Sequence, residues 1–485
     1  MNDKPPVFSQ TFGKTLEKYY VPLALLLMLL ASYNFFFKLG NLPVWDWDEA
    51  RYATNAYEMV QNHDYGICTY SHTVDEWNKK PFLGSWGIIL GYRLFGYGVL
   101  GMRFYSALSS LLIMAMLLWL VPKVWGRAPA LVAGLALPLT PPFLFSHGAR
   151  MGDYCAFFCL FYVLFLICLF KAEERGPYLP LAGLCVGLGF LVYSFHAVQM
   201  LAVMGVYLIL TGLYRKISIG KYLGFAAGCL LPILGWVVWR GSYPDGVKFM
   251  TESFTYDLIS HTTREVEGHV GPTDYYLSYL GQHDLFLSLY FILALFLYFA
   301  VVGFKADFKN KGLTLLSLSV LIPMGLFSVA RSKLGWYLDP IYPSLAVLIG
   351  WVSFRIFRDG NFRTAGKSIL LFLLVVALLR SEREIWKTIN FPDSKPSQNL
   401  LADLAKTHPA PGLPIWGPVW FQADQFMAEV VCQLNPLRYG NLDEVLSQKG
   451  YLMLEKDLKN QNSAFVQAHH LVVFLENDEW MLIKL

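Results

Sequence analysis

Apolar stretches of membrane length recur from Tyr19 to about Arg380, separated by short polar links. A bilayer core takes about 20 helical residues per crossing. Hydropathy on that scale predicts an all-helical polytopic bundle of roughly eleven spans, near 19–39, 101–121, 128–146, 153–170, 178–194, 197–213, 222–240, 285–304, 313–330, 335–354 and 367–386. The spans 178–194 and 197–213 meet with almost no loop. Between the first two spans, residues 40–100 are too aromatic and apolar for a free loop. Ala53, Ala56, Tyr57 and Val60 fall on one helical face and Arg51, Asn55 and Glu58 elsewhere, which predicts a helix lying in the membrane interface. Phe82 to Tyr97, with Trp86, Ile88, Ile89 and Leu90, predicts a second interfacial helix or a shallow re-entrant segment.

Beyond Lys387 the pattern changes. Pro392, Pro396, Pro409, Pro411 and Pro414 break the apolar run, helix-like stretches follow at Glu429–Gln433 and Leu442–Leu446, and Leu471-Val472-Val473-Phe474-Leu475 reads as a strand. This predicts a small α/β domain over 387–485, outside the membrane, after a transmembrane domain over 1–386. No internal repeat or low-complexity segment is visible.

Composition agrees with the pattern. Of 485 residues 55% are hydrophobic and only 15% charged, against about 25% charged in soluble domains. The net charge of +4 says less than its distribution. Lys4, Lys14 and Lys18, then Lys123 and Arg127, Lys171 and Arg175, Arg215, Lys216 and Lys221, Lys305, Lys309 and Lys311, and finally Arg355, Arg358, Arg363 and Lys367 occupy alternate connections. Positive charge gathers in cytoplasmic loops. The N-terminus is therefore expected inside, with the loop holding Asp48, the 241–284 loop and the C-terminal segment outside. The first span is longer than a signal-peptide core and lacks a clear small-residue cleavage site, so it reads as an uncleaved anchor. Cys155, Cys159, Cys168, Cys185 and Cys229 fall in spans and act as small apolar residues, whereas Cys68 and Cys432 are both expected outside and able to pair.

Four polar segments carry candidate chemistry. Trp45-Asp46-Trp47-Asp48-Glu49-Ala50-Arg51-Tyr52 sets three carboxylates just past a span. Acidic groups there are expensive and mark sites, although Asp48 and Glu49 would also serve as an ordinary helix start. The Asp46-x-Asp48 pair is compatible with a divalent cation, but no Gly-rich strand–turn–helix unit exists to cradle a nucleotide. Lys79-Lys80-Pro81 puts two cations on the outer face, against the positive-inside tendency; a phosphate or lipid headgroups would favour them there. Arg150-x-x-Asp153 follows, where Asp153 is either a helix cap or a functional carboxylate. Last comes Arg331-Ser332-Lys333 with Tyr337, Asp339-Pro340 and Pro343, whose aromatics suit interfacial anchoring better than its cations do. Carboxylates and cations on one side of a bundle suit group transfer from a lipid-borne phosphate, with a base for the acceptor and positive charge for the departing phosphate.

Taken in order, Asp48-Glu49-x-Arg51-Tyr52, Lys80-Pro81 with Trp86, Arg150-x-x-Asp153 and Lys333-x-x-x-Tyr337-x-x-Pro340-x-x-Pro343 resemble the GT-C glycosyltransferases, specifically the aminoarabinose (lipid A) transferase and protein O-mannosyltransferase group. The likeness covers most of residues 20–350, and the tail adds nothing to it. It implies an inverting transferase that takes its sugar from a polyprenyl-phosphate donor and passes it to a lipid, glycan or protein acceptor at the periplasmic face of a bacterial inner membrane. The resemblance would make Asp48 the group that orients or deprotonates the acceptor, with Glu49 beside it. Asp153 would support the acceptor or, with Asp48, a divalent cation. Lys80, Tyr337, Lys333 and, more weakly, Arg264 fall where the family holds the lipid phosphate. Arg51, Tyr52, Lys79 and Arg150 would support the acceptor. Neither a nucleotide cofactor nor a nucleic-acid partner is expected.

There are departures from the family pattern. Relatives often carry Glu or Asn where this chain has Lys79, and some carry a mid-chain lysine where Gly189–His196 has none, with His196 the nearest substitute. Two other readings compete: a flippase of lipid-linked sugars, disfavoured because the ionisable residues lie to one side of the bundle, and a polymerase or ligase using a lipid-diphosphate donor.

Overall fold

The computed structural model describes residues 7–174, 176–256, 263, 268–283, 285–302, 310–456 and 461–485. The chain divides into two compact units. The first comprises Met1–Phe37, Lys79–Gly84 and Ser106–Lys387, and the second Lys38–Asn78, Ser85–Tyr105 and Thr388–Leu485. The C-terminal segment groups with the stretch after the first span.

Among the described residues, seven helices are long and apolar enough to cross a membrane, or up to eight if one bent pair counts as a span. They include Lys18–Phe36, Val99–Trp125, Ile219–Gly241, Lys311–Val329, Gly335–Arg358 and Thr364–Asn390. Fewer helices pass that length test than the eleven spans expected, for three reasons. Residues 178–194 and 197–213 form one long span, Tyr178–Thr211, interrupted only by a 3-10 turn at Ser194–Ala197. The apolar helices Arg127–Leu139 and Cys155–Phe170 are shorter than a crossing. Pro138, Pro141 and Pro142 cut the first of these into pieces, since proline withholds a donor and clashes with the preceding turn.

Within the first unit, helices Tyr178–Tyr193 and Ile219–Gly241 pack backbone against backbone. Both carry glycines four apart, Gly183 with Gly187 and Gly224 with Gly228. A Cβ on Gly183 would lie 2.1 Å from the Phe225 carbonyl oxygen, and one on Gly228 would lie 2.4 Å from that of Pro180. Small residues permit such approach in membranes, where dispersion and weak polar contacts replace the hydrophobic effect as the glue. Gly350 meets the Pro129 carbonyl in the same manner, 2.3 Å from where its Cβ would be.

In the second unit, helix Asp48–Gln61 is buried nearly all round, polar Thr54, Asn55 and Glu58 included. That corrects the picture of an amphipathic helix lying on the interface: its polar face finds partners in the protein, not in water. A two-stranded hairpin, Thr69–Tyr70 with Thr73–Val74, turns through Ser71 (φ 53°) and His72 (φ 60°), the left-handed pair that a tight hairpin demands. The tail forms a five-stranded sheet in the order Asn435–Arg438, Pro414–Gly417, Tyr451–Glu455, Trp480–Lys484, Val473–Glu476. The first three strands are parallel and the last two join antiparallel. Leu452, Leu454, Met481 and Ile483 form its core with Val445 and Val466. Helix Pro396–Lys406 opens on the proline, whose missing N–H costs nothing there, and buries Leu400, Leu401 and Leu404. Cys68 and Cys432 are both free thiols, so the pair left open by the sequence is not formed.

Candidate functional site

In the first unit Asp153, Lys80 and Tyr337 from three of the sequence motifs belong to one polar region. Asp153 is fully buried. One of its oxygens lies 2.9 Å from Nδ1 of His147, and the other accepts the Cys155 N–H at 2.9 Å. The turn that brings His147 back is tight: His147 is left-handed (φ 62°), and a Cβ on Gly148 would meet the Phe143 carbonyl at 1.9 Å. Strain of this kind gathers where geometry is functional. Trp336 stacks on the His147 ring at 3.8 Å. Three residues on, Asp339 is 1% exposed, neither of its oxygens has a hydrogen-bond partner among the described residues, and it feels the charge of Asp153. The sequence reading quoted Asp339 without giving it a role. The signal was available, because a carboxylate inside an apolar run of membrane length is costly without a use.

An aromatic series links this centre to the lysine motif. Lys80 Nζ sits 5.5 Å over the Tyr193 ring, Tyr193 meets His196 at 4.3 Å, and His196 meets Tyr337 at 4.5 Å. Phe327 closes the far side of Tyr337 at 5.0 Å. Other expected residues are engaged elsewhere. Lys79 forms an ion pair with Glu252 at 2.7 Å. Lys333 donates to the carbonyls of Ser328 and Ala330, both at 2.7 Å, and so caps the end of helix Lys311–Val329. Arg150 is buried and donates to the carbonyls of Asn34 and Phe37 at 2.7 and 2.8 Å, holding the end of the first span. Arg264 lies outside the described residues.

The second unit holds the first acidic motif. Trp47, left-handed at φ 67°, precedes helix Asp48–Gln61. Asp48 accepts the Tyr52 hydroxyl at 2.5 Å, one turn along the helix. Glu49 is fully buried against Arg103, with bonds of 2.7 and 2.9 Å, and also takes the Trp45 N–H at 3.0 Å. Arg103 spends its other donors on the carbonyls of Leu39, Leu42 and Pro43. Arg51 grips Asp75 through two bonds of 2.9 and 2.7 Å. Burial alone would push the Asp75 carboxyl up, but the Arg51 guanidinium, the Asn55 amide and the Trp77 N–H outweigh it and hold Asp75 below the usual carboxylate range. Asp46 accepts the N–H of Ala423 in the tail, so both acids that flank Asp48 hold the structure in place. Neither Arg103 nor Asp75 was singled out from the sequence. Their partners lie 54 and 24 residues away, and nothing local announces them.

These features, a polytopic helical bundle with carboxylates, lysine and stacked aromatics at its polar segments, are those of the GT-C membrane glycosyltransferases, which the chain resembles in sequence and fold. Residues 79–239 match the model of the dolichyl-phosphate-mannose-protein mannosyltransferase family. The chain is 25% identical over 369 residues to an undecaprenyl phosphate-alpha-4-amino-4-deoxy-L-arabinose arabinosyl transferase of Pseudomonas fluorescens, covering 74% of this chain and 64% of that one. It is 27% identical over 363 residues to the transferase of the same name from Aeromonas salmonicida, covering 72% and 62%. The matched part therefore spans less than two thirds of either relative. Among solved structures, ArnT from Cupriavidus metallidurans bound to undecaprenyl phosphate superposes with a TM-score of 0.67 at 15% identity, over 95% of this chain and 97% of that one. Its apo form gives 0.64.

Proposed function

We propose that this chain is a bacterial inner-membrane glycosyltransferase that moves a sugar from a polyprenyl-phosphate donor to a hydroxyl or phosphate oxygen, with a lipid A-type glycolipid as the first acceptor to test. The observation that carries the reading is the Lys80–Tyr193–His196–Tyr337 series beside Asp153, a cation and polar-edged rings next to a buried carboxylate. The named relatives use undecaprenyl-phosphate sugars, and such donors need no nucleotide site. The distribution of Lys and Arg favours the periplasmic face for the reaction.

In this reading the acceptor oxygen attacks the anomeric carbon as the bond from that carbon to the phosphate oxygen breaks, with inversion. The family resemblance assigns the acceptor proton to Asp48, and the polyprenyl phosphate leaves with the bonding pair. Lys80 and Tyr337 stabilise the phosphate charge that grows in the transition state. Glu49, Arg51, Arg150 and Lys333 hold backbone and partner side chains in place and touch no reacting atom. No step requires a divalent cation, and assays with and without chelator test that separately.

The test is mass spectrometry of lipid extracts and envelope glycans from cells carrying the wild type or Asp48→Asn. The expected result is that a monophosphate-linked sugar accumulates and one glycoconjugate loses that sugar. Unchanged pools with a folded, expressed variant would refute the assignment. Accumulation of a lipid-diphosphate species would point to polymerase or ligase chemistry instead.

A further inference from the structure

A second cluster lies apart from the residues used above, wholly within the second unit. Glu58 and Glu429 are both buried, at 0% and 3% exposure, and ligand atoms of Glu58, His72 and Glu429 all fall within 4.8 Å of one another. The three come from separate elements: helix Asp48–Gln61, the hairpin turn, and a single π-turn at Met427–Val431. Widened turns of that type recur at functional sites.

The local bonding leaves the cluster incomplete. Glu58 accepts the His72 backbone N–H, at 3.1 and 3.2 Å, and its carboxyl lies within hydrogen-bond reach of the Glu429 carboxyl. One oxygen of Glu429 takes the Gln425 amide at 3.1 Å, and the other is buried and receives no N–H or hydroxyl donor among the described residues, with the Glu58 carboxyl as its neighbour. Neither glutamate forms an ion pair among the described residues. Two facing buried carboxylates without a cation are strongly unfavourable, and burial together with the Glu58 charge pushes the Glu429 carboxyl up to about 8. The His72 side chain is exposed, which supplies an entry path and a nitrogen donor.

We infer that Glu58, Glu429 and His72 form a site for a divalent transition-metal cation of the zinc class, tying the helix that begins at Asp48 to the tail. Two carboxylates and an imidazole are a common donor set for such ions, with water completing the shell. Bonds of about 2.0–2.2 Å draw ligand atoms to within about 4.4 Å of each other, so small side-chain rotations close the cradle. The inference is independent of the transferase reading: the site is structural and lies in one unit.

The experiment uses the full chain in detergent, stripped with EDTA, reloaded with zinc alone and desalted. Bound zinc is read by plasma mass spectrometry and thermal stability by a melting scan. All measurements are made in an Asp153→Asn background, so that an ion on that carboxylate is not counted. One equivalent of zinc that raises Tm is expected, with both effects lost in Glu429→Gln. His72→Gln, at an exposed side chain, leaves the zinc-free Tm unchanged and weakens zinc affinity about tenfold or more. Equal zinc retention in all variants would mark adventitious binding and overturn the site. So would a parent that binds no zinc while Glu429→Gln raises its Tm above pH 8, which would assign the pair a shared proton instead.

Discussion

Replacing Arg103 by Met tests how the first acidic motif is held in place. Arg103 is 1% exposed and makes five bonds, two to Glu49 at 2.7 and 2.9 Å and three to the carbonyls of Leu39, Leu42 and Pro43 at 3.1, 2.9 and 2.7 Å. Met fills much of the volume, so packing changes little. What changes is that Glu49, with no exposed surface, keeps its charge and the Trp45 N–H but loses both guanidinium bonds. Breaking a buried pair from one side costs about 3–5 kcal/mol, because the stranded charge stays desolvated. At roughly 2–4 °C per kcal/mol for a unit of this size, the apparent Tm in detergent should fall by about 6 °C or more at a fixed scan rate. Adding Glu49→Gln to Arg103→Met should restore a large part of that loss, giving a coupling energy of about 2 kcal/mol in the double-mutant cycle. A single-variant loss below about 1 kcal/mol, or a strictly additive cycle, would show that the pair is hydrated and not a support for Asp48.

Further outcomes follow from other contacts. Gly183→Ala should lower the melting temperature clearly, since its Cβ would stand 2.1 Å from a carbonyl oxygen that cannot yield without moving the Ile219–Gly241 helix; an unchanged melt would refute the close packing. Asp75→Asn should destabilise at pH 7 by roughly 3 kcal/mol. Because the folded-state pKa of Asp75 is depressed, its contribution is present above the unfolded value near 3.9 and is lost as pH falls through the folded one, so the two proteins should converge in acid. Lys80→Met should raise KM for the polyprenyl-phosphate sugar by about 10–100-fold, the worth of a charge-assisted bond to phosphate, without lowering Tm.

The sequence made the membrane architecture legible, because length and apolarity in a span are local properties. The motif order pointed to the same family that the sequence comparisons found, and Asp153, Lys80 and Tyr337 do belong to one polar region of the first unit. What misled was partnership. Glu49 reads as a free acid until Arg103 is placed against it, and Lys333 reads as an outward cation until it turns back onto its own helix end. The helices differ from the expected spans where prolines at 138, 141 and 142 break an apolar run that hydropathy averages over. Helix Asp48–Gln61 looked amphipathic because Asn55 and Glu58 are polar, yet both are buried among partners no window of sequence contains.

The glycine-lined contact between helices Tyr178–Tyr193 and Ile219–Gly241 constrains how the molecule can move. With carbonyl oxygens seated where side chains would otherwise lie, the two helices cannot slide by one residue or roll without collision. They therefore move as one packed pair, and an opening that admits a lipid between them would first have to break this contact.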